Sequence, residues 1–163
     1  MFVHPTPFSD VNALLVELPS GFEMNEENII NSAKAPEPVG LYPHARRVGN
    51  LLFLSGVGPR ERGTKKIPGV ELDENGNIIS YNIEAQCRSV FQNVKYILED
   101  SGSSWDKIVD VTVFLTNMKD DFPHFNRIYA EYFKDNLPYR TTVEINKLPT
   151  PIAIELKVIA TID

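Results

Sequence analysis

Hydrophobic and polar positions alternate most clearly at the C-terminus of this 163-residue chain. From Ile152, one face collects Ile152, Ile154, Leu156, Val158, Ala160 and Ile162. The other face collects Ala153, Glu155, Lys157, Ile159 and Thr161. A period of two predicts a strand with one face in a core. A Pro149-Thr150-Pro151 break separates it from a preceding strand, which Arg140 opens just after Pro138. Val109 to Leu115 alternates in the same way, and Ala45 to Ser55 predicts a hairpin turning at Gly49-Asn50. Glu74 to Asn77 is a turn signal leading into Ile78-Ile79. Helical spacing appears twice. Ile83, Cys87, Val90, Phe91, Val94, Ile97 and Leu98 form one apolar stripe, with Ser80 or Asn82 available as a cap and Gly102 just past the end. Phe122, Phe125, Ile128, Tyr129, Tyr132 and Phe133 form a second, with Pro123 in its first turn. Thr116 to Asp121 reads as a polar connection, and Gly56 to Leu72 as a long loop. With the last two strands as a pair that closes the domain, this order predicts an α+β domain, one mixed sheet with both helices on one face.

Residues 1–38 differ from the rest. Prolines punctuate both ends, and Val11, Leu14, Leu15 and Leu18 suggest one short amphipathic turn. This stretch reads as an N-terminal extension, either packed on the domain or a neighbouring subunit, or a partly disordered arm. The compact domain spans 39–163.

Composition narrows the function. Hydrophobic residues at 42% and charged residues at 23% describe an ordinary globular chain, and its length suggests one domain. A net charge of -6 argues against broad nucleic-acid affinity. No apolar run has membrane length, and the N-terminus lacks a secretory pattern. The single cysteine, Cys87, fits a reducing, cytoplasmic setting, and on an apolar stripe it reads as a packed thiol.

Metal hydrolysis finds little support, because His4, His44 and His124 are scattered without ligand spacing. No G-x-S-x-G is present, and Ser55-Gly56-Val57-Gly58 is too short for a phosphate loop. Neither a metal nor a cofactor is expected. What remains is Arg140 and Glu155, with Tyr42, Ser55, Asn126 and Thr142 as uncharged hydrogen-bonding groups. From charge and spacing alone, the first two read as an ordinary salt bridge or as two solvated charges. Each of the others alone reads as structural.

The motifs change that balance. Pro138-Tyr-Arg-Thr-Thr-Val-Glu-Ile145 and Leu148-Pro-Thr-Pro-Ile-Ala-Ile-Glu-Leu156 resemble the signature of the YjgF/RidA family of imine and enamine deaminases. Gly40-Leu-Tyr-Pro-His-Ala45, Leu52-Phe-Leu-Ser-Gly56, Ile83-Glu-Ala-Gln-Cys-Arg88 and Phe125-Asn-Arg-Ile-Tyr-Ala-Glu-Tyr-Phe133 extend the resemblance upstream. It implies a chorismate-mutase-like sheet in a homotrimer with sites between subunits, and a small carboxylate-bearing substrate. Arg140 would grip the substrate carboxylate, and Glu155 would activate water and shuttle a proton. Tyr42, Ser55, Gly56, Asn126 and Thr142 would line the pocket. Many members carry cysteine where Thr142 stands, and their G-P-Y is Gly40-Leu41-Tyr42 here. The loop after Gly58 together with the C-terminal motif resembles the 2-aminomuconate deaminase branch, whose substrate has two carboxylates. Arg60, Arg62, Lys65, Lys66 or the Arg46-Arg47 pair would then meet or steer the second; a solvated basic loop is the plain alternative. A general 2-imino-acid deaminase and a non-enzymatic ligand-binding trimer are the competing functions.

Overall fold

The computed structural model describes residues 26–64 and 66–163. The turn expected around Val11 to Leu18, and Lys65, lie outside the described residues. A 3-10 turn, Glu26–Asn28, leads into β1 (Ile29–Ile30), β2 (Ala45–Val48) and β3 (Leu51–Leu54). A separate hairpin follows, β4 (Val70–Leu72) and β5 (Ile78–Tyr81), and then α1 (Ile83–Asp100). A second 3-10 turn, Trp105–Lys107, precedes β6 (Ile108–Leu115), α2 (Met118–Phe133), β7 (Tyr139–Glu144) and β8 (Ile154–Thr161). Six strands make one sheet in the order β1-β2-β3-β8-β6-β7. Among the described residues, only β6 and β7 pair in parallel. The architecture is the expected α+β, with both helices on one face of the sheet.

The apolar stripe of α1 is buried against the alternate residues Leu156, Val158 and Ala160 of β8 and Val111 and Val113 of β6. Phe91, Phe125 and Phe133 fill the space between helices and sheet, each contributing on the order of 1.5–3 kcal/mol by burial. Cys87 is fully buried in this layer, and burial pushes its thiol up to about 12. It is the packed thiol expected, not a nucleophile. Asn82 caps α1 by accepting from the Ala85 N–H at 3.1 Å. Gly102 follows the helix at φ 78°, a conformation that favours glycine.

Three local expectations change. α2 begins at Met118, not Phe122. The Asn117 side chain accepts from the Asp120 N–H, and the Glu144 carboxylate accepts from the Met118 N–H at 2.6 Å. Those two acceptors satisfy donors that a polar segment would otherwise leave open, so the polar connection is the helix's first turn. Pro123 therefore sits in the second turn, on the exposed side. The last two strands are not neighbours. β6 lies between β7 and β8, because α2 returns the chain to the sheet edge in parallel with β6. Val70–Leu72 is a strand, not loop, closed by a turn in which Asp73 accepts from the Asn75 and Asn77 N–H groups.

Residues 29–38 pack on the domain. Ile29 and Ile30 pair with β2. His44 Nδ1 accepts from the Ser32 N–H at 3.0 Å, so Nε2 holds the proton and donates to the Pro36 carbonyl at 2.9 Å. Asp100 accepts from Ser32 Oγ and the Ala33 N–H. Among the described residues, no helix is long and apolar enough to cross a membrane.

The long loop after β3 is held from below. Buried Asn93 on α1 donates to the carbonyls of both Gly58 and Arg60, each at 2.9 Å, and Ser89 Oγ donates to the Pro59 carbonyl. Asn93→Ala would strand two carbonyls. The expected cost is about 1–3 kcal/mol, read by chemical denaturation.

Candidate active site

Glu155 lies on β8 opposite Phe114 of β6. The flanking Ile154 and Leu156 are fully buried under the helices, so Glu155 projects from the helix-free face. It lines a cleft of about 640 Å³ with Tyr42, Ser55, Gly56, Phe53 and Phe114. Burial alone pushes its carboxyl above the usual carboxylate range; no neighbouring charge contributes a shift among the described residues. Gly56 leaves room for that carboxylate. A Cβ on it would overlap Glu155 Oε1 and lie 2.8 Å from the carboxyl carbon. The bridge between Val57 and Leu156 holds this backbone against β8. The Ser55 N–H bonds to the His44 carbonyl and the Val57 N–H to the Leu156 carbonyl. Ser55 Oγ donates to the Pro43 carbonyl at 2.6 Å, which leaves its lone pairs available to a ligand.

Arg140 is elsewhere. It pairs in register with Val111, whose side chain is buried in the helix layer. Residues 111 and 114 are an odd number apart on one strand, so Arg140 and Glu155 belong to opposite faces of the sheet. Arg140 Nη1 donates to Asn126 Oδ1 at 2.8 Å. Its guanidinium carbon sits 4.6 Å from the Tyr129 ring centre and 5.8 Å from those of Phe122 and Phe125. That aromatic platform fixes the group by cation–π attraction. No carboxylate of the described residues lies within ion-pair distance of it, so the fork has free donors. Thr142 Oγ1 and the Tyr129 hydroxyl are buried nearby without a hydrogen-bond partner among the described residues.

The expected site residues thus form two groups. Tyr42, Ser55, Gly56 and Glu155 share the cleft; Arg140, Asn126 and Thr142 share the α2–β7 edge. One chain does not join them. Of the basic candidates, Arg46 and Arg60 reach the cleft. Arg62 is committed to Glu37 at 2.9 Å and the Ala35 carbonyl at 2.6 Å, Lys66 to Glu61, and Arg47 to the Gly49 carbonyl. Sequence reasoning missed Tyr129, Asn93 and Lys157. Lys157 had a signal: it lies two residues after Glu155 on the same strand face, and it lines the same cleft.

The sequence profile of the family described as Endoribonuclease L-PSP matches residues 32–162. The chain belongs to this family. It is the YjgF/RidA family that the motifs resemble. A RutC family protein of Pyrococcus abyssi is 37% identical over 82% of this chain and 96% of its own length. A 2-iminobutanoate/2-iminopropanoate deaminase of Dermatophagoides farinae is 32% identical over 86% of this chain and all of its own. Among solved YjgF/RidA structures, E. coli TdcF with bound serine superposes with a TM-score of 0.71 at 29% identity, over 83% of this chain and 98% of that one.

Proposed function

We propose that this protein is a cofactor-independent deaminase of 2-imino and enamine acids, and that within this class it acts on 2-aminomuconate. The observation that carries the reading is Glu155, a half-buried, desolvated carboxylate packed against Gly56 in an open cleft. A carboxyl with a raised pKa is suited to take and return a proton near neutral pH. The names of relatives that act on imines support the class.

In this reading, the site is completed between subunits. β7 is an edge strand whose outward residues Tyr139 and Val143 are exposed. Such an edge is a natural docking element. Packed on the helix-free face of a neighbour in a homotrimer, it delivers Arg140 to a cleft that holds Glu155. Arg140 grips the carboxylate beside the reacting carbon through its free donors. The enamine tautomerises to the imine. Glu155 takes a proton from water as the oxygen bonds to the imine carbon, and returns it to the nitrogen to give a carbinolamine; it then takes the hydroxyl proton and passes it to the amine, so the C–N bond breaks, the carbonyl forms and ammonia leaves. The product is a 2-oxo acid. Tyr42, Ser55, Asn126 and Thr142 supply hydrogen bonds around it.

The deciding assay is ammonia release from freshly generated 2-aminomuconate, beside imines generated from ordinary amino acids. Release from the imines alone identifies the general deaminase. Binding of 2-oxo acids with no release from either identifies a ligand-binding protein. Gly56→Ala gives an internal check. The new methyl displaces the Glu155 carboxylate, so kcat should fall at least about tenfold while thermal unfolding shows a folded protein.

A further inference from the structure

We infer that Lys157 and Arg46 form a subsite for the second carboxylate of a dicarboxylate, at the end of the cleft away from the Glu155 carboxyl. This rests on the reading of the cleft as the site of an enamine-acid deaminase.

Cations are the minority in this chain, whose net charge is -6. Elsewhere on its surface they are mostly spoken for: Arg62 by Glu37, Arg88 by Glu131, Arg127 by Glu84 and Lys107 by Asp163. Arg46, Arg60 and Lys157 instead converge on one cleft, and none has a carboxylate within ion-pair distance among the described residues. Arg60 is partly engaged, since it donates to the Glu37 carbonyl at 2.7 Å. Arg46 and Lys157 make no side-chain bond at all with the described residues.

Their placement gives the cleft a polarity. Lys157 shares its face of β8 with Glu155 and lies about 6–7 Å further along the strand. Arg46 pairs with Phe53, and Phe53 pairs with Ile159, the next residue on that face of β8. Passing along the cleft from Glu155 and Phe114, which lie side by side, a ligand therefore meets Lys157 first, and then Phe53 and Arg46 one step further along. That spacing suits a six-carbon chain with a carboxylate at each end. The near carboxylate lies at the reacting carbon; the far one is read by charge. A monocarboxylate of equal length would leave both cations unanswered.

The test uses a matched pair of product-like probes, 2-oxoadipate and 2-oxohexanoate, which differ only in the far carboxylate. Binding to the full chain is measured by calorimetry for wild type, Lys157→Gln and Arg46→Gln, with light scattering on each sample. Wild type is expected to prefer 2-oxoadipate, and each substitution to reduce that preference about tenfold. An equal affinity for both probes, binding of neither, or a preference that survives both substitutions overturns the subsite. Dissociation of the assembly with an unchanged preference also overturns it, and assigns the two cations to a subunit contact. The deaminase reading fails separately: wild type would then prefer 2-oxoadipate yet release no ammonia from any imine.

Discussion

Arg140→Ala is expected to lower kcat/KM by roughly two to three orders of magnitude, the scale of losing a charged, partly desolvated anion contact. The loss should fall on substrate binding and orientation together, because a misplaced carboxylate also misplaces the imine carbon. Arg140→Lys should not restore it. A lysine cannot offer the planar fork, and it would not lie on the Tyr129 ring in the same way. Folding should be little affected, since Arg140 is exposed and, among the described residues, its only side-chain hydrogen bond is to Asn126. The decisive measurement is a mixture. Arg140→Ala chains retain a good Glu155, and Glu155→Gln chains retain a good Arg140. If each site takes one residue from each of two chains, equal mixing after subunit exchange should revive about a quarter of the sites in a cyclic assembly. Two inactive proteins that stay inactive when co-assembled would dismiss the shared site.

Glu155→Gln is the second large effect. Amide for carboxylate preserves shape and removes the proton shuttle, so kcat should drop by roughly 10²–10⁴ with a smaller change in KM. The wild-type rate should fall on the acid side as Glu155 becomes protonated, at a pH above the ordinary carboxylate value of 4.5. That limb should vanish in the residual activity of the variant. Stability should move the other way. Burial raises this carboxyl's proton affinity in the folded state. Its favourable contribution is therefore fully present below the unfolded pKa and is lost as pH rises through the folded one. Above the folded pKa the ionised group opposes folding, and there the glutamine variant should melt higher by about 2–4 °C per kcal/mol relieved. The gain should shrink on acidification. A variant that melts lower at neutral pH would mean the carboxylate is held by favourable contacts instead.

Much of this was legible in the chain. The β2–β3 hairpin, α1, β6 and β8 follow from local periodicity, and the turn at Gly49 and the Asn82 cap are local chemistry. Other features were not, for reasons of distance. β1 is two residues long and exists only by pairing with β2. The first turn of α2 looks polar, and its Met118 donor is satisfied by Glu144, which lies far along the chain. The face on which Arg140 projects depends on the register of β7 against β6, which no alternation within β7 reveals. Glu155 was easier: its neighbours Ile154 and Leu156 fix its direction. The motifs thus singled out both residues proposed to react, yet only the register showed that one chain holds them apart.

The burial of Cys87 bears on more than packing. It is the chain's sole sulfhydryl, it is sealed on the buried face of α1, and the residue two along from Arg140 is Thr142, which carries no sulfur. Peroxides and electrophiles act on accessible thiolates. The proposed catalytic apparatus offers them no thiolate, so the expected rate of the protein treated with a thiol-blocking reagent is that of the untreated protein.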